Sequence, residues 1–261
     1  MVSLINVTTV IGGEFLTPLL GFMKTRKSPA ANDLPLLLRL FFGPPQKTIR
    51  QHMEEPSGVH LNIVDNLLVT TGNRRGQRWL LTSTRQAAGT TATAIGVAQT
   101  LAAKNRSTLL VDANFHDPSL TREICVSGHP GLYQLMTDQA SLEDALVANP
   151  FGNRFSFLPA GTDKPDPLLF LDEDRLKSCL AMLSDRFDYV ILDGPPFESG
   201  LDSQLLAPRV DGCILVVRER KTGKQLLMKT RQCIEKANGR LLGLVFNGER
   251  KWASKIGRHW S

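Results

Sequence analysis

The feature that most limits the fold is an alternation. Short apolar runs at residues 79–82, 108–112, 155–159, 188–193, 212–217 and 241–246 are separated by stretches of helical character at 93–102, 119–124, 141–147, 172–183 and 224–237. Most of the runs are continuously apolar, as strands covered on both faces must be. Repeated strand–helix–strand units predict an α/β protein with a doubly wound, mainly parallel sheet flanked by helices. In such sheets ligands sit at the carboxyl ends of the strands.

The first unit carries the most telling loop. The run 79–82 leads into Ser83-Thr84-Arg85-Gln86-Ala87-Ala88-Gly89-Thr90-Thr91, and a helix follows. A strand, a small-residue loop and a helix N-terminus form the frame of a phosphate cradle, usually written G-x-x-x-x-G-K-[ST]. Here Arg85 or a neighbour stands at the first glycine and Thr90 stands at the lysine, so the frame is present without its main charge. Thr91 occupies the position whose hydroxyl ordinarily meets Mg²⁺. Asp112 and Asp193 each end an apolar run, and two strand-end aspartates beside such a loop are the usual means of holding Mg²⁺ and a water.

The remaining chain divides around this unit. Residues 1–57, broken by Pro29, Pro35, Gly43-Pro44-Pro45 and Pro56, read as an N-terminal extension, partly disordered or serving to dock. Residues 58–247 form the domain, and 248–261 form a basic tail. Leu61, Val64, Leu67 and Leu68 predict an apolar helix face. No stretch of ~20 uninterrupted apolar residues exists. The formal charge of +6 suits anionic lipid, phosphate or simply a solvated surface. Cys125, Cys179, Cys213 and Cys233 lack metal-ligand spacing and suit free thiols in a reducing compartment.

Several segments then match one family in order. Val111-Asp112-Ala113-Asn114-Phe115-His116-Asp117-Pro118 resembles the second acidic motif of the bacterial tyrosine kinases of capsule and exopolysaccharide synthesis, which are MinD/ParA-like P-loop proteins. Gly131-Leu132-Tyr133-Gln134-Leu135-Met136, Leu158-Pro159-Ala160-Gly161, Phe187-Asp188-Tyr189-Val190-Ile191-Leu192-Asp193-Gly194-Pro195-Pro196, Asp211-Gly212-Cys213-Ile214-Leu215-Val216-Val217-Arg218 and Gly243-Leu244-Val245-Phe246-Asn247 resemble later motifs of the same family. The resemblance implies a P-loop fold that takes ATP and Mg²⁺. It puts Gly89, Thr90 and Thr91 at the phosphates, Asp112 at the catalytic and Mg²⁺-associated position, Asp193 at the distal Mg²⁺ position, and Asn247 near the base.

The departures from the family pattern are equally specific. Thr90 replaces the lysine, Ala87 and Gln86 replace a glycine and a proline, Asn114 replaces an aspartate and His116 an arginine. Alanine resists positive φ, so the loop is expected not to curl around phosphate. Only Tyr133 and Tyr189 are tyrosines, both inside core motifs, so the family's C-terminal tyrosine cluster is missing. The arginines of its ring-forming helix are absent near residues 60–66, which leaves oligomer assembly open. In the tail, Trp252, Ile256 and Trp260 repeat every four residues amid basic side chains, a face suited to an anionic membrane or a partner.

These features predict a degenerate, kinase-like regulatory subunit, cytoplasmic at the inner face of the cell membrane. It would dock on the inner-membrane chain-length or co-polymerase protein of polysaccharide export, and no nucleic-acid partner is expected. Two alternatives stay open. One is an active Mg²⁺-ATP-dependent kinase or ATPase in which Arg85, Lys221 or Lys224 supplies the missing charge. The other is a MinD/ParA-like positioning ATPase.

Overall fold

A computed structural model describes residues 9–10, 58–124, 128–148, 155–161, 173–198, 201–218 and 222–247. Among them a seven-stranded sheet runs in the order β1-β7-β6-β2-β5-β3-β4. The strands are β1 (Thr9–Val10), β2 (Gln77–Ser83), β3 (Thr108–Asp112), β4 (Ser156–Leu158), β5 (Tyr189–Asp193), β6 (Gly212–Arg218) and β7 (Leu241–Asn247). β2 to β7 are parallel, and β1 alone pairs antiparallel, on β7. All six apolar runs of the sequence are therefore strands of one doubly wound sheet.

Strand alternation sorts the core onto two faces. Trp79 and Leu81 of β2 join one cluster with Ile191, Ile214 and Val216, while Leu80 faces the other with Leu109, Val111 and Val190. The first face is covered by α1 (Gly58–Thr71) and α2 (Thr90–Ala103), through Ile63, Val64, Leu67, Ile95 and Leu101. The second is covered by α4 (Leu132–Met136) and α6 (Glu173–Arg186), through Leu132, Leu176, Leu180 and Leu183. α8 (Lys224–Lys236) puts Leu227 against Leu215, Val217 and Phe246. The short helices α3 (Ser119–Ile124), α5 (Leu142–Ala145) and α7 (Leu201–Leu206) complete the connections.

Two details differ from the sequence expectation. The buried face of α1 is His60, Ile63, Val64, Leu67 and Thr71, whereas Leu61 is exposed. The face is set by packing on α2, where a Cβ at Gly96 would run into the His60 ring. α2 also starts three residues earlier than the apolar pattern suggests, at Thr90, so that its first turn belongs to the loop. Cys179 and Cys213 are buried free thiols, each pushed up to about 12 by burial. Among the described residues no helix is long and apolar enough to cross a membrane. The N-terminal extension and the tail, including Trp252, Ile256 and Trp260, lie outside the described residues, apart from β1.

The strand order places the site. β5 lies between β2 and β3, so the loop leaving Ser83 has Asp193 on the adjacent strand and Asp112 on the next. Leu81 pairs with Asp193, and Asp112 pairs with Asp193, in register.

Candidate functional site: a phosphate loop beside two buried aspartates

The loop between β2 and α2 curls, contrary to the expectation drawn from Ala87. Ala87 adopts φ 57° and Gly89 φ 90°. Long-range contacts hold this shape against the local preference of alanine. The Arg218 guanidinium, at the end of β6, donates to the Ala87 carbonyl at 3.2 Å. The Asn247 amide, at the end of β7, donates to the Ala88 carbonyl at 2.9 Å. Ser83 Oγ donates to the Arg85 carbonyl at 2.8 Å. Asn247 also packs so closely on Gly89 that no Cβ fits there.

Gly89 is the N-cap of α2 and contributes no side-chain cap. The Thr93 amide closes the first helical bond on the Gly89 carbonyl at 3.0 Å. The amides of residues 90–92 precede that bond and have no intrahelical acceptor, which is the arrangement that receives anions at a helix N-terminus. Thr90, at the lysine position, is a buried threonine that adds no charge.

The two strand-end aspartates have different surroundings. Asp193 is 3% exposed, and its carboxyl is bonded by the Thr91 hydroxyl. Burial, with the charge of Asp112 beside it, pushes Asp193 up to about 8. Asp112 is turned into the protein. Its Oδ2 accepts from both the amide and the hydroxyl of Thr121 at 2.8 Å, and its Oδ1 accepts from the Asn114 amide at 3.2 Å. Burial still raises it to about 6, with the Thr121 bonds acting against that rise. The Thr121 hydroxyl in turn accepts from the Ala160 amide at 2.8 Å, tying Asp112 to the segment after β4.

A cleft of about 480 Å³ opens over this edge. It is lined by Ser83, the loop from Gln86 to Thr91, Asn114, His116, Asp117, Ser119, and Asp193 to Pro196. The far wall is fixed by hydroxyls: Thr82 and Ser203 each donate to the Pro195 carbonyl at 2.7 Å. No lysine or arginine lines the cleft among the described residues. Arg85 and Lys224, two candidates for the missing charge, are exposed elsewhere, and Lys221 lies outside the described residues.

The structure therefore brings Gly89, Thr90, Thr91 and Asp193 together around one cleft. It does not put Asp112 or Asn247 on the cleft wall, since the first is closed by Thr121 and Asn114 and the second is spent on the loop backbone. The backbone cradle fits phosphate, and Thr91 with Asp193 fits Mg²⁺, which when bound supplies positive charge at the phosphates. Asp112 already accepts three hydrogen bonds on its two oxygens. Thr121, Arg218, Asp202 and Ser203 shape the site without any signal in the sequence that assigns them a role.

The strand–loop–helix cradle and the aspartate beside it define a P-loop protein. The AAA domain family matches residues 82–241. The chain belongs to that family, and the relatives it is most similar to in sequence include bacterial tyrosine-protein kinases. It is 26% identical over 202 residues to tyrosine-protein kinase YwqD of Bacillus subtilis, covering 76% of this chain and 85% of that one. It is 28% identical over 174 residues to tyrosine-protein kinase CpsD of Streptococcus pneumoniae, covering 64% and 74%. The fold is that of the kinase domain of Escherichia coli tyrosine kinase ETK, with a TM-score of 0.69 and 19% identity, covering 93% of this chain and 89% of that one.

Proposed function

We propose that this chain is a degenerate, kinase-like regulatory subunit of bacterial capsule or exopolysaccharide biosynthesis and export. It would work in the cytoplasm at the membrane, docked on the membrane chain-length or co-polymerase protein. Its cleft takes phosphates, with Mg²⁺ at Thr91 and Asp193, without efficient phosphoryl transfer. The observation that carries this reading is a phosphate loop of intact shape with a buried threonine, Thr90, where the lysine belongs. Phosphoryl transfer is mostly positioning and electrostatic stabilisation, and losing one such contact typically costs roughly 10²- to 10³-fold. The hydrogen bonds of Asp112 to Thr121 support the same conclusion, because both of them occupy Oδ2. The kinship with tyrosine-protein kinases supports the pathway.

The test is ATP hydrolysis and tyrosine phosphorylation by the full chain with Mg²⁺. Thr90→Lys is expected to tighten ATP binding about tenfold, the strength of one charge-assisted hydrogen bond, while the natural chain shows no turnover. Turnover by the natural chain at the rate of an intact kinase, abolished by Thr90→Ala, would overturn the reading. The second reading, an active Mg²⁺-ATP-dependent kinase or ATPase, is favoured by one observation: Thr91 and Asp193 meet beside the loop. The same assay separates the two.

A further inference from the structure

His116 lies on the rim of the cleft, four residues beyond the end of β3. Its Nδ1 is 3.2 Å from Oδ2 of Asp202, in the first turn of α7. The two partners are unlike. The imidazole is 69% exposed, whereas the Asp202 side chain is 4% exposed. The Asp202 carboxylate also accepts from the backbone amides of Phe115 and Asp202, and burial raises its pKa while His116 lowers it. A buried carboxylate behind an exposed imidazole fixes the ring's orientation and favours the proton on Nδ1. The ring so held is part of the cleft wall.

Charge gives this arrangement a purpose. The cleft wall holds phosphate-binding amides and two acids, Asp117 and Asp193, but no lysine or arginine among the described residues. Asp117 is already paired with Arg122 of α3 at 2.6 Å. Asp193 is buried and bonded by the Thr91 hydroxyl. His116 is the side chain of the wall that can become a cation.

We propose that His116, held by Asp202, is the cation with which this cleft meets the terminal phosphates of a nucleoside triphosphate, in place of the lysine that Thr90 lacks. Asp202 is its positioning residue. The inference rests on the reading of the cleft as a phosphate site, and it goes further by making recognition depend on protonation. His116 contacts Asp202 from α7 and shares the cleft wall with Asp117, which is paired with Arg122, and with Asp193 from β5.

The experiment is calorimetric titration of the full chain with ATP in EDTA, at pH 6 and pH 8. His116→Gln is expected to weaken binding about tenfold at pH 6 and little at pH 8. Because both proteins are compared at the same pH, the titration of ATP itself cancels. Asp202→Asn is expected to move affinity in the same direction by a smaller factor. His116→Lys is expected to keep the pH 6 affinity and carry it to pH 8, which also shows that the site tolerates substitution. Equal affinity of His116→Gln and the natural protein at pH 6 would overturn the proposal. So would a loss of the same size at both pH values, His116→Lys binding no better than His116→Gln, or no ATP binding by the natural chain. None of these outcomes depends on turnover, so this proposal and the assignment of a non-transferring subunit fail separately.

Discussion

The phosphate loop and the acidic end of β3 have undergone opposite changes. The loop has kept its shape and lost its charge: Gly89 caps α2, Ala87 accepts a positive φ, and Thr90 is neutral. The end of β3 has kept its charge and lost its reach: Asp112 is still an aspartate, but Thr121 and Asn114 occupy its oxygens. Shape at the loop is maintained by contacts from β6 and β7, which are indifferent to what residue 90 carries. Reach at Asp112 is set by its nearest neighbours. A loop held by distant strands keeps its shape whatever residue 90 carries.

The comparison can be broken most forcefully at Gly89. Gly89→Val puts a branched side chain at φ 90° and into Asn247. It is expected to lose about 3 kcal/mol or more in chemical denaturation. Asn247→Ala in the same chain should recover only part of that loss, since the backbone strain remains. A fully stable Gly89→Val would show that the loop is not held from β7.

The acidic end offers a pH test. Asp193 has an ordinary value of 3.8 and is raised to about 8 by burial and by Asp112. Between those values the folded chain holds a proton that the unfolded chain has lost, so stability falls as pH rises from about 4 to 8. Asp193→Asn carries no such proton. It is expected to match the natural chain near pH 4 and to exceed it near pH 8, as read by thermal unfolding at both pH values. A variant that is less stable at pH 8 would remove the buried-acid account.

The smallest expected effect belongs to Thr121. Thr121→Val deletes the hydroxyl that donates to Asp112 and accepts from Ala160, while leaving the Thr121 amide in place. Leaving buried groups without that partner costs about 1–3 kcal/mol. If the variant also gains Mg²⁺ affinity, Asp112 has been released toward the cleft. If stability is unchanged, the inward closure of Asp112 does not depend on this hydroxyl.

Much of the fold was legible because continuous apolar runs admit few readings once helices alternate with them. The cradle was equally legible, since a strand, small residues and a helix start occupy consecutive positions. What escaped was whatever depends on two distant segments. Ala87 alone argues against a positive φ, and only Arg218, 131 residues later, explains why it is tolerated. Thr121 reads as an unremarked helical residue until α3 folds back under Asp112. On α1 the pattern placed Val64, Leu67 and Leu68 correctly against the core and missed at Leu61 alone, because Leu61 and Ile63 are equally apolar and packing on α2 decides between them.

Ala87 has one more consequence. An L-residue in the left-handed region sits above its relaxed state by roughly 1–2 kcal/mol, and this one is exposed with its carbonyl held by a single guanidinium. The contacts of Arg218, Asn247 and Ser83 with the loop carbonyls must together offset that cost. The curl of the loop is thus a property of the folded sheet, with strands β6 and β7 stabilising a backbone conformation that the loop sequence alone would not adopt.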